Sequence, residues 1–137
     1  MILLDTHIWV WWVQGDPLLG EGGLAALDRQ ASEGIGVSVF SCWEVAMLHA
    51  RGRLTLPCSL DEWIKAALVY PGVELVNLTA QIAIESCRLP GEFHRDPADR
   101  ILVATARGLS CRFVTADEKI LAYPHVRALH PEGLALA

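Results

Sequence analysis

The sequence predicts an α/β domain with a mainly parallel central sheet flanked by helices on both faces. Two observations carry this. Short apolar runs that read as strands alternate with segments of helical character, the order that builds parallel sheets with right-handed crossovers. The chain is also 53% hydrophobic and only 20% charged, as expected of a sheet covered on both faces or of a surface hidden against a partner.

MILLD (1–5) is a short apolar run ending in an acid, and reads as strand 1. THIWVWWVQG reads as a helix stopped by Gly15, Asp16 and Pro17. A second helix is expected from about Gly22 to Glu33, ending at Gly34, before strand 2 in IGVSVF (35–40). SCWEVAMLHARG (41–52) reads as a helix with Ser41 and Glu44 as an S-x-x-E capping box and Gly52 as its close. SLDEWIKAALVY (59–70) is a further helix, broken by Pro71 and Gly72 ahead of strand 3 in VELVNL (73–78). TAQIAIESCRL (79–89) is helical up to Pro90 and Gly91. The next helix runs from about Pro97 to Arg107, with Asp96 as N-cap, Pro97 at the first position and Asp99 in the first turn. CRFVTA (111–116) reads as strand 4, DEKILAY as a short helix and HVRAL (125–129) as strand 5.

At 137 residues the chain is expected to be one domain, 1–137, able to bury a core without disulfides or metals. No apolar run is long enough to span a bilayer, and MILLDTHIWVWW lacks the basic region and cleavage site of a signal peptide. A cytoplasmic location is therefore expected. Cys42, Cys58, Cys87 and Cys111 form no C-x-x-C pair, so reduced, buried thiols are expected rather than zinc or thioredoxin-like chemistry. A net charge of −5 argues against an extended electrostatic grip on nucleic acid, so any such binding needs a local basic patch or a metal.

Four acids fall near strand ends. Asp5 ends strand 1, Glu44 follows strand 2, Asp117 follows strand 4, and Asp99 arrives from the segment before its helix. In an open parallel sheet the carboxyl ends of the strands share one edge, where ligands bind. Each acid alone has a capping role as an alternative. Together, converging carboxylates repel and need compensation. Oxygen donors of this kind suit Mg²⁺ or Mn²⁺, and such sites perform phosphoryl or phosphodiester chemistry.

In this order the acids, with MILLDTHIWVWW, SVFSCWEVAML, HRDPADRILVATARG and FVTADEKI around them, resemble the PIN-domain ribonucleases, and among them the VapC-type toxins of toxin–antitoxin pairs. The resemblance implies a PIN-like fold and Asp5, Glu44, Asp99 and Asp117 as catalytic metal ligands for Mg²⁺ or Mn²⁺. It further implies endoribonuclease activity leaving 5′-phosphate and 3′-hydroxyl ends, a homodimer, and inhibition by a cognate antitoxin. Asp96 is a further candidate beside the metal ligands, with its N-cap role before Pro97 as a sufficient and favoured alternative. Thr6 and Thr115 are hydroxyls beside the site, able to bond a carboxylate or a metal water, or to serve as cap or strand-end residues. Arg51, Arg53, Arg95 and Arg100 are candidate phosphate contacts; for each, a solvated or carboxylate-paired role competes, and Arg100 can simply offset its acidic neighbours.

Trp9 and Trp12 share a helical face and are expected in the core, Trp11 points elsewhere, and Trp43 and Trp63 are expected to pack. His94 lies nearest the acids, where a loop histidine without a role competes with an RNA contact or proton donor. No H-E-x-x-H, G-x-G-x-x-G, Walker A or G-x-S-x-G pattern occurs. The rivals are a PIN-like binding module without activity and another Mg²⁺-dependent phosphotransfer domain; the latter usually carries a D-x-D after strand 1, where this chain has Asp5, Thr6 and His7.

Overall fold

The computed structural model describes residues 1–136. Strands β1 (Ile2–Leu4), β2 (Ile35–Ser38), β3 (Val73–Val76), β4 (Arg112–Val114) and β5 (Ala128–Leu129) form one all-parallel sheet in the order β3-β2-β1-β4-β5. Helices α1 (Thr6–Gln14) and α2 (Gly20–Gln30) lie between β1 and β2, and α3 (Val39–Ala50) and α4 (Leu60–Leu68) between β2 and β3. α5 (Ala80–Ser86) and α6 (Pro97–Gly108) lead to β4, α7 (Glu118–Leu121) to β5, and α8 (Pro131–Ala135) follows.

Strand alternation explains the two-sided core. Ile2, Leu4, Ile35, Val37 and Val114 face one cluster, packed with Trp9, Leu27, Trp63 and Leu134 from α1, α2, α4 and α8. Leu3 and Phe113 point the other way, into Leu102, Val103 and Ala106 of α6 and Ile120 of α7. Successive strand side chains lie on opposite faces, so short apolar strands supply both cores. The order also has a consequence for the site: β2 lies on one side of β1 and β4 on the other. The switch point, where crevices open in such sheets, therefore lies at the carboxyl ends of β1 and β4.

Several local expectations are corrected. β2 stops at Ser38, whose hydroxyl accepts from Phe40 N at 3.0 Å and caps α3. Ser38 holds the extended backbone a cap requires (φ −69°, ψ 141°), so Ser41 and Glu44 are not a capping box, and Glu44 lies in the second helical turn with its carboxylate free for another role. α2 begins earlier than expected because a 3₁₀ turn at Pro17–Leu19, capped by Asp16, feeds directly into it. The final helix, α8, was not anticipated; Pro131 at its first position is its clearest sequence signal.

Trp9 and Trp63 are buried edge to face at 5.1 Å, and buried Trp12 donates Nε1–H to Asp28 at 2.9 Å. Trp43 departs from expectation: it is 56% exposed and stacks on Phe40 at 5.3 Å rather than packing in the core. Among the described residues no disulfide forms; Cys111 is buried, but Cys58 and Cys87 are exposed rather than buried.

Gly72 is required where it stands. Its φ is +89°, and a Cβ there would strike the backbone of Ala31. The Gly72 carbonyl also accepts from Ile35 N at 2.8 Å, aligning β2. Gly72→Ala is expected to lower unfolding stability by about 2 kcal/mol or more, measured by denaturant titration.

Candidate metal centre

Asp5 leaves β1 and turns into α1. Its Oδ1 accepts from Thr6 N at 2.8 Å and its Oδ2 from the Thr115 hydroxyl at 2.7 Å. Thr115, fully buried at the end of β4, also accepts from Asp117 N at 3.0 Å. One hydroxyl thus ties the ends of β1 and β4 together and sets the distance between two acids. Asp117 in turn caps α7, accepting from Lys119 N at 2.9 Å and Ile120 N at 3.1 Å. Its capping role is real and leaves Oδ2 outside that cap.

Glu44 is held by Thr6, whose hydroxyl donates to Oε1 at 2.5 Å. With that proton committed, the 2.8 Å contact between Thr6 and Ser41 has Ser41 as donor. Asp96 is exposed and caps α6, its Oδ1 accepting from Asp99 N at 3.1 Å. That bond fixes the first turn of α6 and carries Asp99 inward. Asp5, Glu44, Asp99 and Asp117 line a single cleft of about 240 Å³, with His7 and Trp11 also on its wall.

The electrostatics follow from crowding. Burial pushes the Asp99 carboxyl up from 3.8 to about 7, with Asp5, Asp96, Asp117 and Glu44 adding repulsion. Burial also raises Asp5, against the lowering by His7 and by the bonds from Thr115 and Thr6, with Asp117 raising it further. Glu44 rises through burial, partly offset by the Thr6 bond, and then through Asp5 and Asp96. Among the described residues no lysine or arginine forms a salt bridge with these four acids. Clustered, half-desolvated oxygen donors with no lysine or arginine partner fit a divalent cation, which these acids would hold in competition with the proton on Asp99.

Replacing Thr6 by valine removes the only side-chain hydrogen-bond donor to Glu44 among the described residues and leaves Ser41 without its acceptor. Thr6→Val is expected to cost about 1–3 kcal/mol and to raise the Glu44 carboxyl further, read by denaturation and by carboxyl-carbon NMR titration.

The sequence-predicted arginines divide. Arg51 and Arg53 are exposed just after α3, in the turn leading back to the cleft wall at Leu54, and Arg95 is exposed before α6. Arg100, expected beside the acids as a phosphate contact or charge offset, is instead turned toward the backbone: Nε donates to Ser86 O at 2.8 Å, and Nη1 to Phe93 O at 3.1 Å and His94 O at 3.2 Å. Two residues acquire clearer places than the sequence assigned. His7 Nε2 accepts from Ala116 N at 3.1 Å, which puts its proton on Nδ1, 3.6 Å from Asp5 Oδ2. His94 Nε2 lies 3.0 Å from Asp99 Oδ2. His94 sits in an irregular loop, where hydrophobic periodicity carries no signal; the adjacent acids were the only clue.

The PIN domain model matches residues 2–126. The chain is similar to Ribonuclease VapC22 of Mycobacterium tuberculosis, at 29% identity over 126 residues covering 92% of this chain and 94% of that one. Two solved structures share the fold. VapBC2 from Rickettsia felis, bound to a promoter DNA fragment, has a TM-score of 0.69 at 17% identity, covering 95% of this chain and 98% of that one. FitAcB from Neisseria gonorrhoeae has a TM-score of 0.67 at 22% identity, covering 96% and 98%.

Proposed function

The chain belongs to the PIN domain family, and from that membership we propose that it is a divalent-metal-dependent endoribonuclease of the VapC type, the toxin of a toxin–antitoxin pair. The observation that carries the reading is the convergence of Asp5, Glu44, Asp99 and Asp117 in one cleft where, among the described residues, no lysine or arginine pairs with them. The relative named a ribonuclease and the neighbours solved as VapBC assemblies support the RNA substrate and the antitoxin partner. The four acids would hold Mg²⁺ or Mn²⁺, which when bound supplies an activated water and neutralises charge on the phosphate.

The chain's own residues do the rest. Thr115 and Thr6 keep Asp5 and Glu44 aimed into the cleft through their hydroxyl bonds. Arg51, Arg53 and Arg95 are exposed cations for the RNA backbone, an arrangement that suits a chain of net charge −5. Asp96 acts through α6, holding Asp99 in place. The exposed Trp43, stacked on a half-buried Phe40, suits a surface covered by a second copy or an antitoxin segment, and no helix among the described residues is long and apolar enough to cross a membrane. A cytoplasmic homodimer is the form we propose.

The test is cleavage of an RNA panel with Mg²⁺ or Mn²⁺, with EDTA, and with end-group analysis. Metal-dependent cleavage leaving 5′-phosphates is expected. Products ending in 2′,3′-cyclic phosphate that persist in EDTA would replace the metal reading with a metal-free one.

A further inference from the structure

His94 stands at the edge of the acidic cluster in a position that an ordinary ion pair does not explain. Its Nε2 is 3.0 Å from Asp99 Oδ2, yet that nitrogen is shielded from solvent and has no hydrogen-bond partner. The carboxylate oxygen therefore lies off the direction in which an Nε2–H would donate. Ligand atoms of His94, Asp99 and Asp117 all fall within 4.8 Å of one another. Neighbouring donors at right angles on one ion, with bonds of about 2.1 Å, are separated by roughly 3 Å, which matches the spacing of Nε2 and Oδ2.

The imidazole is also held in advance. Arg100 fixes the carbonyls of Ser86, Phe93 and His94. The Phe93 ring packs on the His94 ring at 4.4 Å and on Tyr123 at 4.6 Å, and the Tyr123 hydroxyl donates to Pro90 O at 2.5 Å. A side chain anchored through its loop and set beside two carboxylates, with its Nε2 not directed at the nearer one, is built as metal ligands are, with outer partners that fix the ring. His7 does not compete for this role, since its Nε2 already accepts from Ala116 N.

We propose that His94 Nε2 is a nitrogen ligand to the ion held by Asp99 and Asp117, which makes the centre a mixed nitrogen and oxygen site that prefers Mn²⁺ to Mg²⁺. The inference rests on the metal-site reading given above. Its chemical ground is that Mg²⁺ favours carboxylate, carbonyl and water oxygens, whereas imidazole suits the transition metals.

The test uses Mn²⁺ itself and requires no RNA. Mn²⁺ binding is followed by electron paramagnetic resonance, with spin-echo detection of directly bound ¹⁴N, in the wild type, His94→Ala and Asp99→Asn. The wild type is expected to show imidazole nitrogen coupling. His94→Ala should lose that coupling and bind Mn²⁺ about tenfold more weakly or worse, with Mg²⁺ competition changed less. Bound Mn²⁺ without nitrogen coupling in the wild type would overturn the role of His94 and leave the carboxylate site standing; this arm does not depend on how a variant folds. Coupling that persists in a folded His94→Ala would also overturn it. If the wild type retains no Mn²⁺, or Asp99→Asn binds as well as wild type, the metal-site reading falls as well.

Discussion

Asp99→Asn is expected to cut RNA hydrolysis by at least about 100-fold while making the metal-free chain more stable. Asp99 titrates at about 7 in the folded chain against 3.8 ordinarily. The unfolded carboxyl therefore loses its proton near pH 4, while the folded one keeps it until about pH 7. Folding takes up a proton in that window, so this group makes stability fall as pH rises from about 4 to 7, and the full penalty applies above. The difference corresponds to on the order of 4 kcal/mol, reduced by partial exposure of the carboxylate to roughly 2–4 kcal/mol. Asparagine keeps the shape without the charge. At pH 8 in EDTA the variant should melt roughly 5–10 °C above wild type, and at pH 4 the gap should close. Thermal melts across pH check this; a variant less stable than wild type at pH 8 would mean that the acids are already neutralised within the chain.

Arg100→Ala is expected to cost about 2–4 kcal/mol. The guanidinium donates to three carbonyls spread over Ser86 to His94, so it substitutes for regular structure in that segment. Lysine should restore little, because one ammonium does not reproduce a planar fork aimed at separated acceptors. Denaturant unfolding of the alanine and lysine variants checks the size and the failure of rescue. The salt dependence of RNA binding separates this role from a phosphate contact: its slope should change for Arg51→Ala or Arg53→Ala and stay unchanged for a folded Arg100 variant.

Much of the fold was legible because strand and helix signals alternate clearly. Apolar runs such as those holding Ile2–Leu4 and Phe113–Val114 supply side chains to both faces of the sheet, so their continuity marked strands buried on both sides. The convergence of Asp5, Glu44 and Asp117 followed from parallel topology, since Asp5 and Asp117 lie just beyond the carboxyl ends of β1 and β4 and Glu44 lies in the second turn of the helix that follows β2. Asp99 reached the cleft by a different route, through the Asp96 cap and the packing of α6; its placement depends on contacts between distant segments.

The misreadings share a cause. Ser38 and Ser41 both satisfy the local chemistry of a cap, and the choice between them depends on where β2 stops pairing with β3, at Ser38 and Val76. That three-residue displacement removes Glu44 from the capping box and places it in the second turn of α3. His94 carried no periodic signal because its loop is organised by Arg100 and Phe93 rather than by secondary structure.

The convergence of the acids on a divalent ion is tested most directly by calorimetric titration of Mn²⁺ into the purified chain at pH 6 and pH 8, each in two buffers of different protonation enthalpy. The expected result is saturable binding that releases more protons at pH 6, where Asp99 is mostly protonated, than at pH 8. No saturable binding, or binding that displaces no proton at pH 6, would contradict it.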